Sequence, residues 1–412
     1  MARVLVTWEL GGGSGHVVPL RPIIDGLLRR GHSVMAAVRD VGRAAAAWAG
    51  LDVEILQAPF KLGPVKDPIR PPFTLAHLLH DVGFADELEL AALVGAWRAI
   101  FDYGRPELIL CDHSPTALLA ARGIPGLRRA VMGYGFICPP DQSPLPNLRF
   151  WTKPDPAKLI ADEAAVLARM NRVLGRFGAE PIERVTQIYG DADATWLTTF
   201  EELDHFPWRG KGARYWGAWT AASGKPPVWP RGEGPRIFAY LKDSPVTAAV
   251  LAWLAKSGHP AIVLVEGVDG RALAAVSSAK NVRVERERLD MGQVAAECDL
   301  AVLHAPHGTT AAVLLAGKPV MLLPVFLEQG LLAHAVCERM GAGVAGPVVK
   351  AEAAVAALAK LAASVSSPGG GECTAAARRF AAKYAAYDPL AANDALVDDV
   401  EGVLMRDVGT LV

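Results

Sequence analysis

The chain has 412 residues, of which 51% are hydrophobic and 21% charged, and its formal net charge is -1. That length suggests two or three domains, and that composition supports a large core and excludes global disorder. Near-neutral charge argues against a general polyanion-binding surface, so no nucleic-acid partner is expected.

The opening MARVLVTWEL runs straight into a predicted strand, Arg3–Trp8, with no signal-peptide layout before it. A glycine-rich turn, Gly11–Gly15, leads to His16. Val17, Leu20, Ile23, Ile24, Leu27 and Leu28 then recur at helical spacing up to Gly31, and Ser33–Val38 reads as a second strand, completing a βαβ opening. The turn fits neither common phosphate motif. A P-loop needs lysine where His16 stands, and a dinucleotide fingerprint counted from Gly11 needs glycine there.

Two Pro-rich stretches, Pro59–Phe73 and Gly133–Trp151, read as long loops. They carry Phe60, Phe73, Tyr134 and Phe136, which line an expected pocket for a small apolar or aromatic molecule, unless they pack on the helices beneath. Thr74–Tyr103 is a predicted helix on which His77 and His80 form a solvated face in preference to lining the pocket or binding a metal. Pro106–Cys111 reads as a strand with Asp112 at its end, before a helix opened by Ser114-Pro115-Thr116. Asp112 caps that helix, reaches His16, because the first and fourth strands of a parallel sheet end on one edge, or does both, since one carboxylate has several acceptor sites. His113 is expected to diverge from its neighbour. Asp191-Ala192-Asp193 is read as structural, and no metal site is expected.

Thr220–Pro235 has the Pro/Gly composition of a domain boundary. The alternation then restarts: strand Arg236–Leu241, helix Val246–Lys256, strand Ala261–Val265, helix Arg271–Ser277, strand Val282–Glu285 and helix Asp290–Glu297. Strand Ala301–Leu303 is followed by a turn holding His304, Ala305, Pro306, His307 and Gly308, and by a helix begun at Thr309-Thr310. Strand Val320–Leu323, Pro324, the pair Glu328-Gln329 and a further helix come next. Amide groups of Gly308, Thr309 and Thr310 at a helix start would favour an anion. The final helices are Ala375–Tyr387 and Pro389–Leu404. The five cysteines have no metal or redox spacing, which suits a reducing cytoplasm, and no apolar run is long enough to cross a bilayer.

The stretch Ala301–Gly343 resembles the nucleotide-sugar signature of the UDP-glycosyltransferase superfamily, which includes macrolide, flavonoid and antibiotic glycosyltransferases. That signature runs strand, His-Gly-Gly-x-Gly-Ser/Thr, helix, Gly-x-Pro, strand, Pro, Asp/Glu-Gln. Gly15-His16-Val17-Val18-Pro19 resembles the family's N-terminal Gly-His-x-x-Pro. The resemblance implies the α/β GT-B fold: two Rossmann-like doubly wound parallel-sheet domains facing across a cleft. It implies an acceptor domain over 1–218, a linker over 219–234, a nucleotide-sugar domain over 235–385 and a C-terminal helix within 386–412 that returns to the first domain.

The implied activity is metal-independent, inverting transfer of a hexose from UDP- or dTDP-sugar to an acceptor hydroxyl, with the nucleotide sugar as co-substrate and no cofactor. By resemblance, His16 is the general base, with Asp112 behind it. His304, Gly308, Thr309 and Thr310 would hold the diphosphate, and Glu328 and Gln329 the sugar. Three departures stand out. Ala305-Pro306 replaces two glycines, and Pro306 removes a backbone donor. Lys242-Asp243-Ser244 replaces Gly-Ser, which makes Lys242 and Ser244 phosphate candidates, or Lys242 a solvated loop lysine. The tryptophan that stacks on the base is missing, and Arg286 or Arg288 could stack instead. A relative that only binds a nucleotide or lipophilic ligand is the alternative, and a dinucleotide enzyme ranks last. The expected partners are small molecules; a homodimer stays open.

Overall fold

The computed structural model describes residues 1–210, 212–219, 224–268, 270–346 and 349–406. Positions 220–223 of the expected linker and 407–412 of the expected C-terminal segment lie outside the described residues. The chain forms two compact units. The first holds Met1–Thr199, Trp208–Gly217 and the segment from Pro389; the second holds Phe200–Pro207 and Ala218–Asp388.

Phe200–Pro207, expected in the first domain, thus belongs to the second unit, and aromatic packing is the reason. The Phe200 ring lies 4.4 Å from Tyr384, 5.0 Å from Tyr387 and 5.4 Å from Phe380. Glu202 accepts from the Tyr384 hydroxyl at 2.7 Å and pairs with Lys383 at 2.5 Å.

In the first unit, β1 (Arg3–Trp8), β2 (Ser33–Val38), β3 (Val53–Gln57), β4 (Leu108–Asp112), β5 (Arg128–Gly133) and β6 (Ala194–Leu197) form a six-stranded parallel sheet ordered β3-β2-β1-β4-β5-β6. In the second, β7 (Ile237–Lys242), β8 (Ala261–Glu266), β9 (Val282–Glu285), β10 (Leu300–Leu303), β11 (Val320–Leu322) and β12 (Gly343–Ala345) form another, ordered β12-β11-β10-β7-β8-β9. Each sheet winds outward from its first strand and then crosses to the other side. The crevice where such sheets bind ligands therefore lies past the ends of β1 and β4, and of β7 and β10.

Helices cover both faces, so the central strands β4, β7 and β10 are largely apolar rather than alternating, while the edge strands β3 and β9 carry Glu54, Arg283 and Glu285. In β7, Ile237, Ala239 and Leu241 enter one core and Phe238 the opposite one, and all four are buried. The helix Pro389–Met405 packs in the first unit against the helix Leu20–Arg29. A Cβ on Gly26 would stand 2.8 Å from Val397, so glycine is what permits this approach. Arg30 binds Asp398 at 2.6 Å and Glu401 at 2.8 Å, and the Trp196 indole donates to Asp399 at 2.7 Å.

The single helix expected over Thr74–Tyr103 is broken. Helix Leu75–Leu79 runs into a wider turn, His80–Phe84, where Gly83 adopts φ 124°, and helix Glu87–Gly104 restarts beyond it. Asp86 caps the restart, accepting from the Glu89 amide at 2.8 Å. The expected solvated face also fails. His77 is buried, accepts from the Phe73 amide at 3.1 Å and donates to Asp162 at 3.0 Å, and burial lowers its pKa. His80, half-buried, bonds the Asp67 carbonyl at 3.0 Å. Asp191 pairs with Arg122 at 2.8 Å and Asp193 accepts from the Arg129 amide at 2.7 Å, which are structural contacts. No helix among the described residues is long and apolar enough to cross a membrane.

Candidate active site

Register explains what collects at the edge of the first sheet. Trp8 of β1 sits between Val38 of β2 and Asp112 of β4. The next residue of each strand, Glu9, Arg39 and His113, is therefore carried to one rim. His16 returns to this rim from the turn ahead of helix Leu20–Arg29. Its Nδ1 lies 3.2 Å from both carboxylate oxygens of Asp112, and both side chains are buried. A carboxylate only accepts, so Nδ1 donates to it, and Nε2 is the nitrogen that carries the lone pair whenever the ring is neutral. The His16 ring is stacked on Trp8 with centroids 5.2 Å apart.

Asp112 does not cap the next helix, whose N-cap is Ser114. Burial raises the Asp112 pKa, and His16 pulls the other way. His113, expected to diverge, instead stacks on His16 at 5.9 Å and meets Phe136 edge-on at 6.3 Å. It does so by adopting φ 48°, which turns its side chain back to the rim; burial drives its pKa down to about 3, which keeps the ring neutral. Glu9, unremarked in the sequence, is buried behind the rim. It accepts from Trp97 Nε1 at 3.0 Å and the Thr116 amide at 2.8 Å and touches the Thr116 hydroxyl. These bonds tie the end of β1 to the segment following Asp112. Burial pushes its carboxyl up to about 7.

The four aromatics expected to line one pocket are distributed differently. Phe60 lines a cavity with Trp8, Gly11 and Arg39. Phe136 sits against His113, and Tyr134, half-buried, caps the short helix Gly135–Ile137 beyond β5. Phe73 stands edge-on to His77 at 6.2 Å, outside the lining of that cavity, because the Leu148 and His77 hydrogen bonds hold its loop there.

In the second unit, His304 follows β10 and is buried. Its Nδ1 lies 3.1 Å from the Tyr240 carbonyl, so Nδ1 carries the proton and Nε2 is a lone pair; burial lowers its pKa to about 4. The helix begins earlier than expected, spanning His307–Leu315 with Pro306 as its N-cap. The first-turn amides are therefore those of His307, Gly308 and Thr309. The Thr310 amide donates to the Pro306 carbonyl at 3.0 Å, and its hydroxyl is buried without a partner, so Thr310 is not part of the exposed tip. Pro306 gives up only the N-cap amide and provides no side-chain cap. A Cβ on Gly308 would meet only the Trp219 carbonyl, at 3.8 Å, which leaves open space over the tip. Ala305 holds φ 62°, a conformation that favours glycine.

Glu328 is half-buried, with Oε1 3.3 Å from His205 Nε2. His205 also stacks on His307 at 5.9 Å, a link no sequence spacing could reveal. Gln329 is buried, and its oxygen accepts from the Val325 amide at 2.9 Å, so it shapes its own loop. Lys242 ends β7, 3.8 Å from Glu266 and above the exposed Phe326 ring. The Ser244 hydroxyl is bonded to Thr247 at 2.7 Å. Arg286 and Arg288 are exposed just past β9, the edge strand.

No protein-family model matches the sequence, and no curated protein matches it. Solved structures do. The calicheamicin glycosyltransferase CalG4 is 19% identical, with a TM-score of 0.68 and coverage of 98% of both chains. The glycosyltransferase VinC, solved with dTDP, is 16% identical with a TM-score of 0.65, covering 98% of this chain and 100% of its own. The Streptomyces sp. SF2575 glycosyltransferase SsfS6, complexed with thymidine diphosphate, is 20% identical with a TM-score of 0.59 and the same two coverages, 98% and 100%. The two parallel sheets, their strand orders and this match over nearly the whole chain lead to one conclusion: the chain has the two-domain GT-B fold seen in these glycosyltransferases.

Proposed function

We propose that the chain is an inverting glycosyltransferase that moves a hexose from UDP- or dTDP-sugar to a hydroxyl of a small apolar or aromatic acceptor. The observation that carries this reading is His16, with Nδ1 held 3.2 Å from both carboxylate oxygens of Asp112, so that Nε2 is the ring nitrogen not engaged by Asp112. A hydroxyl is a weak nucleophile, and a positioned imidazole removes its proton as the new bond forms. The acceptor oxygen attacks the anomeric carbon while the bond to the diphosphate breaks. The acceptor proton ends on Nε2, and Asp112 stabilises the imidazolium. The charge that develops on the departing phosphate suits the amides of His307, Gly308 and Thr309, the first-turn donors of a helix. A single base activating the acceptor fits a single displacement, which inverts the centre. Lys242 and the helix tip could offset the diphosphate charge without a metal. The diphosphates bound in VinC and SsfS6 support the same donor class here. The scattered cysteines suit work in the cytoplasm.

The test is His16→Ala. Transfer should fall by roughly 10²–10⁴, while calorimetry shows UDP or dTDP binding unchanged. Transfer at near the full rate would remove His16 as the base. Nucleotide binding without release toward a broad set of acceptors would favour a binding protein.

A further inference from the structure

Beside His16, the first unit holds a cavity of about 320 Å³ whose lining includes Trp8, Gly11, Gly12, Gly13, Arg39 and Phe60. Two of these also touch the proposed base: Trp8 stacks on the His16 ring, and Gly11 lies against its Nε2. Arg39 is half-buried, with its guanidinium carbon 4.2 Å from the centre of the Phe60 ring. Its Nη1 donates to the Glu9 carbonyl at 3.0 Å, and no carboxylate among the described residues pairs with it. Asp40 also lines the cavity, but its charge is taken up. It caps the next helix through the Arg43 amide at 2.9 Å and binds Arg43 Nε at 3.2 Å, contacts that hold its carboxyl below the usual range. The unmatched charge in the lining is therefore positive and belongs to Arg39.

We propose that this cavity binds a carboxylate of the acceptor, with Arg39 as its counter-ion. A guanidinium stacked on a ring keeps its edge N–H groups free in one plane, which matches a carboxylate, and it is weakly hydrated enough to be used half-buried. The volume is at the low end for small-molecule sites, so it takes the acidic end of an acceptor. The shared walls at Trp8 and Gly11 then place the acceptor's remaining body beside His16. The inference rests on the glycosyltransferase reading for its role, but the binding itself can be measured without turnover.

Para-hydroxycinnamate and its methyl ester serve as probes, titrated by ligand-observed NMR into the full chain, its Arg39→Met variant and its His16→Ala variant. Arg39→Met keeps an unbranched stem over Phe60, and matching thermal melts check its fold. The acid should bind about ten-fold tighter than the ester, added salt should weaken only the acid, and Arg39→Met should abolish the preference. Arg39→Lys, which keeps the charge without the planar fork, should retain part of it and serves if the Met variant does not fold. The proposal is overturned if the ester binds as well as the acid, if the preference survives in Arg39→Met, or if neither probe binds at millimolar concentration. A preference retained in His16→Ala supports the cavity whatever becomes of the base. Turnover with no preference for the acid removes the cavity proposal and leaves the base standing.

Discussion

Gly11 and His16 share one space: a Cβ on Gly11 would overlap the imidazole Nε2. Gly11 also holds φ 81°, which side chains with a Cβ rarely adopt. The backbone at Gly11 therefore forms the wall against which the proposed base rests. Gly11→Ala should push the ring off Asp112 and lower transfer by at least the roughly 10² that a positioned base supplies. Gly175, in the helix Pro156–Arg176, whose Cβ would also meet nothing within 4 Å, is the control and should tolerate alanine. Steady-state rates for the two variants check this.

His304 should take up a proton when a nucleoside diphosphate binds. Its Nδ1–H is committed to the Tyr240 carbonyl, and burial keeps its pKa near about 4, so at neutral pH Nε2 presents a lone pair. A phosphate oxygen only accepts, and its negative charge favours the imidazolium. Affinity for UDP should then fall as pH rises. Calorimetry in two buffers of different ionisation enthalpy should show proton uptake by the native chain above that of His304→Ala.

Ala305→Gly should be close to neutral for stability. The left-handed φ of 62° costs about 1–2 kcal/mol for a residue with a Cβ. Losing that strain offsets the entropy and the buried methyl that the change to glycine forfeits, about 1 kcal/mol each. The same change at Ala301, buried in β10, relieves nothing and should cost about 2 kcal/mol. Ala305→Val, with a branched chain at that φ, should be far worse. Denaturant midpoints would rank the three.

Glu9 makes stability depend on pH. Its carboxyl is raised to about 7 in the folded chain by burial, above the ordinary 4.5. The folded state thus holds a proton that the unfolded chain has lost. The contribution is complete below the unfolded value and disappears as pH rises through about 7, amounting to roughly 3 kcal/mol over that window. Glu9→Gln does not titrate, so the native chain should lose stability relative to it between pH 4.5 and 7, measured by urea unfolding at a series of pH values.

Much of the fold was legible because parallel strands buried on both faces leave apolar runs separated by helical periods, as in Arg3–Trp8, Ser33–Val38 and Ala301–Leu303. The placement of His16 and Asp112 on one rim was legible too, since strand order in a doubly wound sheet sets which ends are neighbours. Local dihedrals were less so. A positive φ at His113 and Gly83 and an N-cap at Pro306 turned one helix into two, brought a second histidine to the first and moved the helix tip by two residues.

The sequence by itself determined the alternation of strands and helices, the two sheets and the polar residues at their ends, because burial periodicity and turn chemistry act between residues close in the chain. Only the tertiary structure decided that Glu9 grips Thr116, that Arg39 lies over Phe60 with no carboxylate paired to it among the described residues, that His205 holds Glu328 and that Phe200–Pro207 joins the second unit. Those contacts join residues far apart in the chain. Side-chain packing and desolvation set them, and no local pattern in the sequence encodes either.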